Sequence, residues 1–97
     1  MRSHEFAELS AFIAIAEERS FRRAATRLNL TPSTLSHSLR ALEQRLDVRL
    51  LQRTTRAVSL TEAGAALLAE VAPAFTAIAT AVDGVNQFRE RHAARCA

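Results

Sequence analysis

At 97 residues the chain has room for one compact domain with a modest core, which disfavours a two-domain sensor or a large enzyme. Hydrophobic residues make up 48% and charged residues 24%, a balance that excludes wholesale disorder, and 2 glycines and 2 prolines leave few breaks in helices, so a mainly α fold is expected. The net charge of +3 conceals a division: residues 1–18 sum to −3, residues 19–56 to +7 and residues 57–97 to −1.

Every cation in the basic middle is arginine, whose planar fork of donors matches phosphate oxygens two at a time. Genome composition accounts for the missing lysine, but the clustering calls for a physical cause. No apolar run approaches the roughly 20 residues of a bilayer span, and "MRSHEFAELS" lacks a secretory signal, so the default address is the cytoplasm and no membrane partner is expected. The lone Cys96 has no partner for an internal disulfide and reads as a bystander.

The first helix is expected over Ser3 to Glu18, with apolar residues at Phe6, Leu9, Phe12 or Ile13, and Ala16 on one face and the acids on the other. Ser20 is a good N-cap for a short second helix whose apolar positions Phe21, Ala24, Ala25 and Leu28 recur at three and four. "NLTP" then breaks the pattern. Asn29 tolerates a left-handed backbone, Thr31 can cap, and Pro32 suits the first helical position of a third helix. There Leu35, Leu39, Leu42 and Leu46 form a stripe, which turns Ser33, His37, Arg40 and Gln44 outward. Glu43, three residues after Arg40, is expected to pair along the helix or with a neighbouring arginine.

After Asp47 the period changes. Leu50 and Leu51 lead into "QRTTRA", and Val58 and Leu60 alternate with Ser59, as in a small hairpin of two short strands turning around Thr54 and Thr55. Thr61 caps a final long helix, with Glu62 in its first turn. Along it Leu68, Val71, Phe75, Ile78, Val82 and Val85 are spaced three, four, three, four and three, a heptad seam flanked by alanines. This is more apolar length than a three-helix core needs, and the excess suggests a partner helix. Pro73 should kink or loosen the helix, Gly84 should weaken its end, and fraying is expected in the charged tail. The domain boundaries are therefore a head over 1–60, a helical stalk over 61–91 and a frayed tail over 92–97.

The second and third helices with their turn have helix-turn-helix spacing, in which the N-terminal end of the later helix enters the major groove. The free N–H groups at Thr31 to Thr34 suit phosphate, and Ser33 and His37 are short enough to reach base edges. The same spacing fits an αα-corner with a solvated polar face, so the pattern alone leaves both open. His4, His37 and His92 lie in different elements with no ligand spacing around them, so no metal is expected. No oxyanion loop or nucleophile elbow is present, so no enzyme is expected.

The stretches "SFRRAA", "LxxTPSTLSHSLRALEQRL", "VRLLQRTTR" and "LTEAG" occur in the order and spacing of the LysR-type transcriptional regulators, which the chain resembles from Phe6 to about Phe75. The resemblance implies a winged helix-turn-helix with a long linker helix that dimerises. It also implies double-stranded DNA as partner, a homodimer with a tetramer open in a full-length context, and no cofactor. It places base reading on Pro32, Ser33, Thr34 and His37. Backbone contacts fall to Ser20, Arg22, Thr31, Ser36 and Arg40, and wing contacts to Arg53, Thr54, Thr55 and Arg56. Where the family often has Gln, this chain has Pro32, which shifts base reading toward Ser33, Thr34 and His37. The family's regulators continue into an effector-binding domain, so no small-molecule effector site is expected in this chain. The rival reading is a helical interaction module that pairs with a full-length regulator and blocks its DNA binding.

Overall fold

The computed structural model describes the backbone of residues 3–54 and 57–96, and the side chains of residues 4–54 and 57–91. The elements run α1 (Ser3–Glu18), α2 (Phe21–Leu28), α3 (Pro32–Leu46), β1 (Leu51–Arg53), β2 (Val58–Leu60) and α4 (Glu62–Cys96). The expected mainly α winged helix-turn-helix followed by a long helix is the observed architecture, and Thr55 and Arg56, expected in the wing, lie outside the described residues.

Local chemistry sets the helix ends. The Ser20 hydroxyl accepts the Arg23 N–H and the Thr31 hydroxyl accepts the Thr34 N–H, each satisfying a first-turn donor with no partner inside its helix. Asn29 (φ 58°) and Asp47 (φ 55°) end α2 and α3 in the left-handed region, where short polar side chains are tolerated best among non-glycine residues.

The core is centred on α1, which packs against α2 and α3 and also against β2 and α4. Every residue from Ala11 to Ala16 is buried, with Phe12 and Ile15 sealed completely beside Leu35 and Leu50. The single apolar face expected for α1 is therefore too narrow. A helix enclosed on all sides buries its whole circumference, and the alanines let its neighbours approach closely. Its acids are not all outward either, since Glu8 is buried and ion-paired with Arg45 near the end of α3. In α3, Leu35, Leu39 and Leu42 are buried, whereas Leu46, the last residue of the helix, is exposed.

The strands pair antiparallel in the register Leu51↔Leu60, Gln52↔Ser59 and Arg53↔Val58. Two devices fasten the base of this hairpin. The Glu43 carboxylate accepts the N–H groups of Leu50 (2.8 Å) and Leu51 (3.3 Å), a backbone role in place of the expected ion pair. From the other side the Thr61 N–H donates to the Leu50 carbonyl (3.0 Å), and the Thr61 hydroxyl donates to the Arg49 carbonyl (2.6 Å) while accepting the Gly64 N–H (3.0 Å). Gly64 is buried so closely against this turn that a Cβ would collide with the Leu50 carbonyl oxygen. Only glycine fits there.

α4 continues through Pro73 as one helix from Glu62 to Cys96. Neighbouring helical bonds carry the backbone past the one donor that proline lacks. The first turns lie on the head: Ala63, Leu67, Leu68, Val71 and Phe75 pack against the core, and the Phe75 ring stacks on Phe6 with centroids 4.6 Å apart. Beyond them α4 projects, giving the molecule extents of 55 × 23 × 20 Å. Glu62–Arg91 is also long and apolar enough to cross a bilayer by length and composition, with mean hydropathy 1.7 over its most apolar 18 residues. The expectation that no segment approaches that length overlooked how far alanines extend the apolar run.

Candidate nucleic-acid interface

α3 presents its N-terminal half to solvent. Pro32, Ser33, Thr34, His37 and Arg40 are exposed and Ser36 is half-buried, the outward face expected from the leucine stripe. Pro32, Ser33, Ser36, His37 and Arg40, together with Arg53 from β1, line one open groove between α3 and the hairpin. Three of the four residues expected to read bases thus meet two expected backbone-binding residues and one wing residue.

The other described candidates are not among the residues that line that groove. Thr31 and Thr34 are exposed, and the Thr31 hydroxyl donates to the Thr34 hydroxyl (2.9 Å), so both are tied to the helix start. Ser20 caps α2, and Arg22 is exposed in its first turn with its carbonyl accepting the Thr26 hydroxyl. At the hairpin tip the Thr54 N–H and hydroxyl both donate to the Ala57 carbonyl, and the same hydroxyl accepts the Ala57 N–H (3.0 Å). Thr54 therefore closes the turn as well as belonging to the wing.

Sequence reading missed what lies beneath Arg53. Its guanidinium sits over the Phe21 ring, 3.9 Å from the centroid, a cation–π geometry that fixes a long side chain otherwise free to rotate. Phe21 read as a core residue from its helical spacing, and it is one, being 9% exposed. Nothing in the spacing revealed that its open face supports an arginine more than thirty residues away. A second groove, lined by Arg40, Arg49 and Arg53 together with Glu43, Gln44 and Asp47 among others, extends toward the end of α3. Arg27 and Arg45 are engaged elsewhere, with Glu17 and Glu18 and with Glu8. The charge of the 19–56 stretch is thus partly neutralised away from the groove and left open beside it. Among the described residues, no three His, Cys, Asp or Glu side chains gather as a metal site.

A polar, arginine-flanked face at the start of the second helix of a helix-turn-helix, with a hairpin beside it, defines a winged helix-turn-helix protein. Residues 6–65 match the family model described as "Bacterial regulatory helix-turn-helix protein, lysR family", and the chain belongs to that family. It is 46% identical over 91 residues to the HTH-type transcriptional regulator PgrR of Escherichia coli K12, covering 94% of this chain and 30% of that protein. It is 49% identical over 82 residues to the uncharacterized regulator YcaN of the same strain, covering 84% of this chain and 27% of that protein. Against those two relatives the chain thus spans under a third of their length. Among solved structures, the CbnR DNA-binding domain in complex with DNA superposes with a TM-score of 0.72 at 35% identity, over 92% of this chain and 97% of that one. Oxidized OxyR of Corynebacterium glutamicum superposes with a TM-score of 0.77 at 38% identity, over 81% of this chain and 26% of that one. The chain therefore carries a LysR-type helix-turn-helix DNA-binding domain.

Proposed function

We propose that this chain reads specific duplex sequences as a dimer, within a cytoplasmic LysR-type transcriptional regulator. The observation that carries the reading is the groove where Pro32, Ser33, Ser36, His37, Arg40 and Arg53 converge. Ser33 and His37 read base edges from the major groove, Pro32 offers apolar contact to a thymine methyl, and Thr34 adds a hydroxyl at the helix start. Ser36, Arg40, Thr31, Ser20 and Arg22 hold phosphates and set the register. Head 1–60 is the reading unit and stalk 61–91 the pairing unit, its Ile78, Val82 and Val85 supplying the apolar face of the dimer.

Competition mobility shifts on a duplex selected from a random pool test this reading. His37→Ala should weaken binding to that duplex by about 1 to 3 kcal/mol and relax preference at one base position. Equal losses on selected and random duplexes would remove His37 from base reading.

The exposed Ile78, Val82, Val85 and Phe88 favour a second reading, a module that pairs with a longer regulator through α4 and withholds it from DNA. No shift of any duplex at low salt would select this alternative.

A further inference from the structure

The cation–π contact between Arg53 and Phe21 bears on where the wing meets DNA. A wing arginine is commonly expected to reach outward into a minor groove, which its length and charge would suit. Here the side chain turns the other way. Its guanidinium lies on Phe21 of α2, and it lines the same groove as Ser36, His37 and Arg40 of α3.

Both ends of this arrangement are anchored. Phe21 is held in the core cluster at the first turn of α2. Arg53 ends a strand whose base is fixed by the Glu43 carboxylate, with its backbone in register with Val58. A guanidinium stacked by one face on an aromatic ring keeps its edge N–H groups free for an anion in the ring-parallel plane. Arg40 supplies a second cation on the same groove and Ser36 a hydroxyl.

We infer that Phe21 is a positioning residue that commits Arg53 to a DNA backbone phosphate at the edge of the major groove, shared with Arg40, and withholds it from the minor groove. The inference rests on the reading of this head as a duplex binder. The ligand is one phosphodiester next to the bases that α3 faces. Arginine suits position 53 because its planar guanidinium can lie face-on to the ring and keep its edge donors for phosphate, whereas a lysine ammonium is a point charge that must divide itself between ring and phosphate.

The test measures binding of the full chain and its variants to two 30-base-pair duplexes across a salt series. One duplex carries a central A-tract and the other has mixed sequence. Arg53→Ala should lower the salt slope by about one released ion on both duplexes and leave the A-tract preference unchanged. Phe21→Leu, which keeps apolar volume, should weaken binding about two- to fivefold on both. The double variant should bind like Arg53→Ala alone. Phe21→Tyr, which keeps the ring face, should retain wild-type affinity, and Arg53→Lys should behave like Phe21→Leu.

Selective loss of A-tract preference in Arg53→Ala would overturn the inference by putting Arg53 in the minor groove. Additive effects of Phe21→Leu and Arg53→Ala would overturn the positioning role, with circular dichroism confirming that both variants are folded. An unchanged salt slope in Arg53→Ala would remove the phosphate contact. Failure of the wild-type chain to bind either duplex at low salt would instead overturn the underlying reading of DNA binding.

Discussion

The two halves of the α4 seam have the same spacing and nearly the same chemistry, yet opposite surroundings. Leu68, Val71 and Phe75 lie against the head, with Phe75 stacked on Phe6, whereas Ile78, Val82 and Val85 are 46%, 54% and 69% exposed. Heptad spacing states that a helix has an apolar side, not what covers it. The proximal half is covered by its own chain because Thr61 and Gly64 seat α4 on the Leu50 turn. The distal half has passed beyond the head, so its apolar face is open to another helix.

The largest expected effect breaks the proximal half. Gly64→Ala places a methyl group against the Leu50 carbonyl, and because the obstacle is backbone, we expect destabilisation by about 3 kcal/mol or more, at the upper end for overpacking. Urea unfolding would measure it, and a wild-type midpoint would mean that α4 is not seated on this turn.

Next comes the distal half. In the proposed dimer, replacing both Ile78 and Val82 with Glu should raise the dissociation constant by about a hundredfold, since each chain would bury two charges in an apolar contact. The head should meanwhile unfold as before. Sedimentation over a concentration series reads the first outcome and thermal unfolding the second; an intact dimer would exclude this face from the interface.

The smallest effect serves as the counterpart to Gly64. Apart from the surrounding backbone of its own helix, no atom of the described residues lies within 4 Å of where a Cβ on Gly84 would stand. Gly84→Ala should therefore stabilise distal α4 by about 0.5 to 1 kcal/mol by narrowing the unfolded chain's freedom. Helical ellipticity on heating would report it. Two glycines in one helix are thus expected to respond with opposite signs.

Much of the fold was legible because it depends on near neighbours. The caps at Ser20 and Thr31, the left-handed Asn29, the leucine stripe of α3 as far as Leu42 and the alternation of Val58, Ser59 and Leu60 each depend on residues a few positions apart. So does the outward face of Ser33, His37 and Arg40, which follows from helix geometry once the buried side is known. The resemblance in "TPSTLSHSLRALEQRL" and "LTEAG" then pointed to a chemistry that spacing alone left open between DNA and water.

What stayed hidden depends on distant partners. Glu43 was expected among arginines, but its carboxylate meets the backbone N–H groups of Leu50 and Leu51, which the turn after α3 brings back to it. Glu8 was expected in solvent, but α3 returns Arg45 to it across the core. Phe21 and Arg53 stack because the hairpin folds back over the start of α2. The sequence by itself determined which segments are helix or strand, where α2 and α3 begin and end, and which side of α3 is polar, because periodicity and capping act within a few residues. Tertiary structure decided how α1 is enclosed, which half of the α4 seam is already covered, and which way Arg53 points. Those outcomes depend on contacts between residues far apart in the chain, whose meeting no local pattern encodes.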